Sequence, residues 1–333
     1  MQAFNPANTK GRRKAYDEEL AVHDLDPFMS DYLKIIQSKA HRRLAYKTQV
    51  MCSPENPHVR TRGVHTNEVL ATATIISEML GLNTKLCQAI SAGHDIGHTP
   101  YGHLGERMLT ELSGKPFRHN VFSVVVAQHI ERKGYGLNLT HETLQGILYH
   151  SRGDKELVIS KDMPQEYSVV MYSDKIAYTF SDMNDAIRYG YLTEEQAKEY
   201  VSSLGANQRV RLNSCIQALV NESRKKGYVS FTEGPVFEAF DRLKKFMYDN
   251  VYYRMDFTMH KEVLKKAYEF FESLGYNPII AIALMTDMEM NAFGNFLIQN
   301  RKPDLHAIKH FGVFEILPYL RKDIDPNDPD LDW

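Results

Sequence analysis

Six of the fourteen histidines in this chain fall between positions 58 and 119: His58, His65, His94, His98, His103 and His119. The densest run, AGHDIGHTPYGH over residues 92–103, sets a carboxylate directly after its first imidazole. On a helix His94 and His98 lie about one turn apart and can face one space. Asp95 then sits about 100° round from His94, close enough for both to reach one ion. Imidazole and carboxylate together suit one borderline divalent metal ion (Mn, Fe, Co, Ni or Zn), with Mg less natural among histidines. Two ligands from one helix rarely complete a site, so others are expected upstream and downstream. His65, at the opening of the preceding helix, and Asp174, in a regular helix further on, are the candidates.

Helices must position these side chains. Val69, Ala73, Ile76 and Leu80 recur at three- and four-residue steps and predict a helix over 66–80 stopped by Gly81. Thr84 is expected to cap a second helix running toward His94, with Gly97 ending it. Thr99-Pro100 reads as a cap and first-turn proline, restarting a helix through Leu104, Met108 and Leu112. The most regular pattern covers 165–188, with Val169, Ser173, Ile176, Phe180, Met183 and Ile187 as its buried stripe. Thr193 with Gln196 is a capping box opening the next helix. Further helices are expected over 209–226, 235–253, 259–274 and 278–299. The one strand-like run, Val124-Val125-Val126, has flanks that suit a helix equally. An all-α fold is the economical reading.

Composition sets bounds. Hydrophobic residues at 43%, charged residues at 25% and a net charge of −2 are ordinary for a globular chain and argue against a wholesale polyanion binder. No apolar run approaches the roughly 20 residues of a membrane span, and nothing resembling a secretory signal opens the chain. Cys52, Cys87 and Cys215 lack CxxC spacing and read as reduced thiols, so a cytoplasmic location is expected. The basic run from Lys10 to Lys14 reads as a solvated tail. Aromatic residues such as Phe237, Phe240, Phe270 and Phe271 read as core rather than as a stacking platform for single strands. Lys34, Lys39, Arg42, Arg43 and Lys47 would make a basic surface if exposed together, and weak single-stranded nucleic acid binding would then follow.

The order His65, His94-Asp95, Asp174 resembles the ligand order of the HD superfamily of metal-dependent phosphohydrolases. Further segments are similar to its dGTP triphosphohydrolase-like members. These are His41-Arg42-Arg43-Leu44 with Lys47-Thr48-Gln49-Val50, Arg62, HDIGHTPYGH, Arg118-His119-Asn120, GLNLTHETLQGILYHS over 136–151, and DKIAYTFSD over 174–182. MTDMEMNAF over 285–293 is a weaker echo. The resemblance implies an HD-type helical domain over 31–230, preceded by an arm over 1–30 and followed by C-terminal helices over 231–333 on the same domain.

It also implies hydrolysis of a deoxynucleoside triphosphate to the deoxynucleoside and intact tripolyphosphate, in an assembly of even subunit number. His65, His94, Asp95 and Asp174 would hold a metal that acidifies water and draws charge off the α-phosphorus. His103 and His119 match non-ligand histidines near the leaving group, and imidazole suits proton transfer near neutral pH; His103 is the preferred proton donor. Arg62, His98 and Lys175 match phosphate-contacting positions, Tyr178 and Asp182 lie along the sugar, and Gln49 and Asn120 complete the expected substrate contacts. His129, His141 and His150 fall outside the pattern and read as capping or solvated. Two other readings stay open: an HD enzyme acting on a nucleoside monophosphate, cyclic dinucleotide or alarmone, and a nucleotide-sensing or nucleic-acid-binding regulator with little turnover.

Overall fold

The structure, a computed structural model, describes residues 1–14, 25–51, 56–151, 159–252, 257–298 and 308–333. Cys52 and Gln299 lie outside them. The fold is all-α. In chain order the helices are α1 (Pro27–Ile36), α2 (Lys39–Arg43), α3 (Arg62–Leu80), α4 (Thr84–Gly93), α5 (His103–Ser113), α6 (His119–Val125) and α7 (His141–Tyr149). They continue with α8 (Gln165–Arg188), α9 (Glu194–Val201), α10 (Gln208–Lys226), α11 (Pro235–Met247), α12 (Thr258–Ser273), α13 (Pro278–Leu284) and α14 (Asp287–Ile298). Among the described residues the extended pairings are two isolated bridges, Arg12 with Thr140 and Thr48 with Thr61. None of the helices is long and apolar enough to cross a membrane.

Helix α4 is the hub: it packs against α1, α3, α7 and α8, and from Ala89 to Gly93 every residue is buried. Small residues permit that crowding. A Cβ on Gly93 would lie 2.5 Å from Ile147 Cδ1, and one on Gly146 of α7 would lie 2.3 Å from Ile90 Cδ1. The C-terminal end of α4 is thereby delivered to the centre of the molecule, where His94 and Asp95 follow.

The expected span of α8 is met residue for residue, and Thr193 and Gln196 form both bonds of the capping box that opens α9. Elsewhere the boundaries move. Helix α3 begins four residues earlier than expected, at Arg62. Asn83, not Thr84, caps α4, its side chain accepting the Leu86 N–H at 3.0 Å. Helix α5 does not start at Pro100. Tyr101 and Gly102 take left-handed φ values of 59° and 58°, which no helix interior admits, so α5 opens at His103. The pattern over 278–299 is two helices, because Thr286 and Glu289 form their own reciprocal cap and start α14 afresh.

The basic run is no solvated tail: Arg12 bonds Asp31 and the carbonyls of Pro27 and Asn138, and Arg13 pairs with Asp330. Nor do the five cations near α2 share a surface. Lys34 and Lys47 are buried, Arg43 lies 3.6 Å from Glu131, and Lys39 pairs with Glu315.

Gly97, just past His94-Asp95, tests how tightly the turn is held. A Cβ there would lie 2.3 Å from Ser123 N and 2.5 Å from Phe122 C, both backbone atoms of α6 that cannot give way. Gly97→Ala should destabilise the fold by about 3 kcal/mol, the upper range for overpacking a closed interior. Denaturant midpoints read this loss, and an unchanged midpoint would show that α6 yields.

Candidate active site

Three elements bring the expected ligands together. His65 sits in the first turn of α3, His94 and Asp95 directly after α4, and Asp174 in the middle of α8, all buried. His65 Nε2 lies 3.0 Å from Asp174 Oδ1, and His94 Nε2 lies 3.3 Å from Asp95 Oδ2. The His65 and His94 rings meet edge to face at 5.6 Å. His94 Nδ1 is 2.7 Å from the Ser91 carbonyl, which only accepts, so the proton sits on Nδ1 and Nε2 presents its lone pair inward. That buried Nε2 has no hydrogen-bond partner. The ligand atoms of His65, His94 and Asp95 lie within 4.8 Å of one another, with Asp174 joined to His65, a donor set that suits a divalent cation.

Electrostatics agree. Burial raises the carboxyl pKa of Asp95, but the neighbouring His94 and the Arg62 guanidinium overcome it and hold the group well below its ordinary range. Asp174 is likewise pushed up by burial and brought down further by Lys175 and His65. Both are ready-made anions. Burial lowers the pKa of His98 well below the ordinary imidazole value, with Arg62 adding to it, and burial lowers His150 to about 3, so both are neutral rings at physiological pH.

The HD domain family matches residues 62–179, from Arg62 through Asp174 and the following turn. A deoxyguanosinetriphosphate triphosphohydrolase-like protein of Caldanaerobacter subterraneus subsp. tengcongensis is 39% identical over 270 residues, covering 81% of this chain and 77% of the relative. The protein of the same name in Clostridium tetani is 42% identical over 252 residues, 74% of this chain and 71% of its own. The chain belongs to the deoxyguanosinetriphosphate triphosphohydrolase-like family. A hypothetical protein of known structure from Aquifex aeolicus aligns over 86% of this chain and 71% of its own at 20% identity, with a TM-score of 0.44, too distant to add to that assignment. As a family member the chain carries the HD domain of metal-dependent phosphohydrolases, with histidine and aspartate groups positioned for a metal.

The remaining expected site residues of this family member sort by what they touch. Arg62 donates to Asp95, to the Thr48 carbonyl and to the Gln49 carbonyl, which makes it a brace for Asp95. Gln49 is buried and its Oε1 has no partner. His98 is fully buried, its ring stacked on His119 at 4.4 Å and both nitrogens without hydrogen bonds. Asn120 spends its amide on the Leu148 carbonyl at 2.6 Å and ties α6 to α7, a scaffold role. Lys175 Nζ lies 2.9 Å from Asp174 and 5.4 Å from the Tyr178 ring centre. His103 is exposed, and its Nδ1 lies 2.5 Å from Glu106. His119 is buried with Nδ1 2.8 Å from the same carboxylate.

Four contributors escaped sequence reasoning. Glu106 links His103 and His119. Lys47, fully enclosed, donates to the His98 and Ala283 carbonyls. Tyr252, in the π turn after α11, donates to Asp182 at 2.8 Å. His150 is the C-cap of α7, its Nδ1 on the Ile147 carbonyl, but it is not solvated: it is 1% exposed, with its ring 4.9 Å from His94. His129 pairs with Asp330 and His141 packs on Trp333, both away from the site.

Burial pushes the Asp182 carboxyl up to about 8 from its ordinary 3.8, although Tyr252 opposes the shift. The folded state therefore holds a proton that the unfolded chain has lost, so the group favours folding most below about pH 4 and this contribution disappears as pH rises toward 8. Asp182→Asn, which keeps the neutral shape, should flatten the decline of Tm between about pH 5 and 8 relative to the parent protein. Parallel Tm-against-pH curves would refute a proton on Asp182.

Proposed function

We propose that the chain hydrolyses deoxynucleoside triphosphates to the deoxynucleoside and tripolyphosphate, with dGTP the first substrate to test. One observation carries this reading. Asp174, Tyr178 and Asp182 recur at four-residue steps on one face of α8, with Lys175 next to Asp174 and Asp174 bonded to His65, a succession that supports phosphate contacts at one end and sugar contacts at the other.

His65, His94, Asp95 and Asp174 would hold a divalent cation, which would supply Lewis acidity and lower the pKa of water at the site. Lys175 adds positive charge for a triphosphate that carries about four negative charges, beyond what one divalent ion offsets. Asp182, neutral below about pH 8, can hydrogen-bond a sugar hydroxyl without repelling the phosphates. Tyr178, one turn from each of Asp174 and Asp182, would pack against the sugar, where its ring would crowd a 2′-hydroxyl.

His103 is the proton donor this arrangement supports best. Its Nδ1 is held by Glu106, leaving Nε2 for the departing oxygen, whereas His119 is wedged between Glu106 and His150. A water oxygen bonds to the α-phosphorus as the P–O5′ bond breaks; O5′ takes a proton from His103, and the proton released by the water restores that imidazolium through solvent.

Incubation with each dNTP and NTP in the presence of Mn²⁺, Mg²⁺ or Co²⁺, with every inorganic product quantified, tests the reading. Tripolyphosphate in equal amount to deoxynucleoside is the expected result. Orthophosphate or pyrophosphate alone would refute it in favour of a nucleotidase or alarmone hydrolase, and tight binding without turnover would favour a sensor.

A further inference from the structure

Asp287, the first residue of α14, belongs to no expected site, yet its carboxylate is buried at 5% exposure. Its Oδ1 accepts the Tyr101 N–H at 3.1 Å, and its Oδ2 accepts the Thr48 hydroxyl. Each of those residues leads directly into the candidate site. Tyr101 begins the left-handed bend that delivers His103 two residues later. Thr48 offers its carbonyl to Arg62 at 3.1 Å, and Arg62 in turn donates to Asp95.

A bulky residue such as Tyr101 keeps a φ of 59° only where surrounding contacts over-determine it. Within the loop, the Thr99 hydroxyl bonds the Gly102 carbonyl at 2.8 Å. From outside, α14 holds Tyr101 twice, because Asn291, one turn beyond Asp287, accepts the ring hydroxyl at 2.6 Å. A carboxylate suits this position: it has two accepting oxygens for two donors and no hydrogen to turn away. Lys47, buried nearby on the Ala283 carbonyl at 2.7 Å, offsets its charge. Starting α14 is a task already filled by Thr286 and Glu289, whose reciprocal bonds measure 2.7 and 3.2 Å.

We propose that Asp287 is a positioning residue for the reaction, fixing the segment that carries His103 against the segment that braces Arg62. It thereby sets where the His103 imidazole stands relative to the side chains expected to hold the metal. The inference rests on the reading that His103 protonates the leaving oxygen, and it assigns that geometry to a residue that itself meets no substrate.

The full-length Asp287→Ala protein, replete with Mn²⁺, tests this. With dGTP, kcat should fall by about 10- to 100-fold, the scale of a misplaced catalytic group, while KM and metal content stay near the parent values. A nitrophenyl phosphodiester, whose leaving group needs no proton, should show a loss of less than about threefold. Added to His103→Gln, Asp287→Ala should cost nothing further on dGTP, since both changes act through one imidazole. In nuclear magnetic resonance with Mg²⁺ in place of Mn²⁺, the His103 ring signals, identified by their disappearance in His103→Gln, should be displaced by Asp287→Ala. Those of His129 and His141 should stay in place. Asp287→Asn, which keeps one accepting oxygen, should give the same pattern at smaller size, and it decides the matter if the alanine variant does not fold by circular dichroism. Unchanged kcat, equal losses on both substrates, losses that multiply in the double variant, loss of metal or an unmoved His103 signal each overturns the proposal. If the parent protein turns over no dNTP, the functional reading fails, and the His103 signal alone decides whether Asp287 positions that ring.

Discussion

Asp95→Asn should lower turnover about a thousandfold and strip the protein of metal while leaving its helical spectrum in place. Asp95 is the most shared side chain in the site: one oxygen faces His94 at 3.3 Å and accepts from Arg62, while the other faces His119 and His150. An asparagine fills the same volume and can still accept from Arg62 through its carbonyl. It then presents an NH₂ group, two donors and no lone pair, where the carboxylate offered a second ligand oxygen. The anionic ligand is lost along with the geometry. A Lewis-acid contribution of several kcal/mol, at about 1.4 kcal/mol per factor of ten, sets the thousandfold scale. Elemental analysis and initial rates on the same preparation check it. Retained metal with normal turnover would remove Asp95 from the ligand set.

His103→Gln should behave in the opposite way toward metal. Its ring is exposed and lies outside the four-ligand centre, so metal content should match the parent protein while kcat falls by about 10²–10⁴, the usual range for loss of a general acid. The defect should depend on the leaving group. An ester of a nitrophenol departs without needing a proton, so the variant should lose far less activity on such a substrate than on a deoxynucleoside triphosphate. An equal loss on both would mean that His103 shapes the site rather than protonating the leaving oxygen. Loss of metal would place it among the ligands.

What could be read from the chain alone depended on distance. The α8 stripe and the Thr193–Gln196 box are local patterns, and local patterns translate directly into structure. The four proposed ligands were legible as candidates because an adjacent His-Asp pair calls for partners and the family order supplies them. Glu106 was within reach of inference, three residues after His103 on the same helix face, but an α5 started at Pro100 would have turned that face elsewhere. The Thr286–Glu289 cap was a visible signature passed over inside a longer apolar pattern. His150 and Tyr252 gave no such signal. Asn120 bridging α6 to α7 brings His150 under His119 across 31 positions, and Tyr252 meets Asp182 across 70. Only packing creates those encounters.

The left-handed bend at Tyr101 and Gly102 is stapled from the far end of the sequence. Asp287, opening α14, accepts the Tyr101 N–H at 3.1 Å and bonds Thr48, and Asn291 takes the Tyr101 hydroxyl at 2.6 Å. Lys47 spans the same seam from Ala283 to His98. The imidazole that would face the leaving oxygen is thus aimed by a hinge whose pins are nearly two hundred positions away. Proteolytic trimming before Met285 would withdraw those pins and misdirect His103 without touching a single residue that meets substrate.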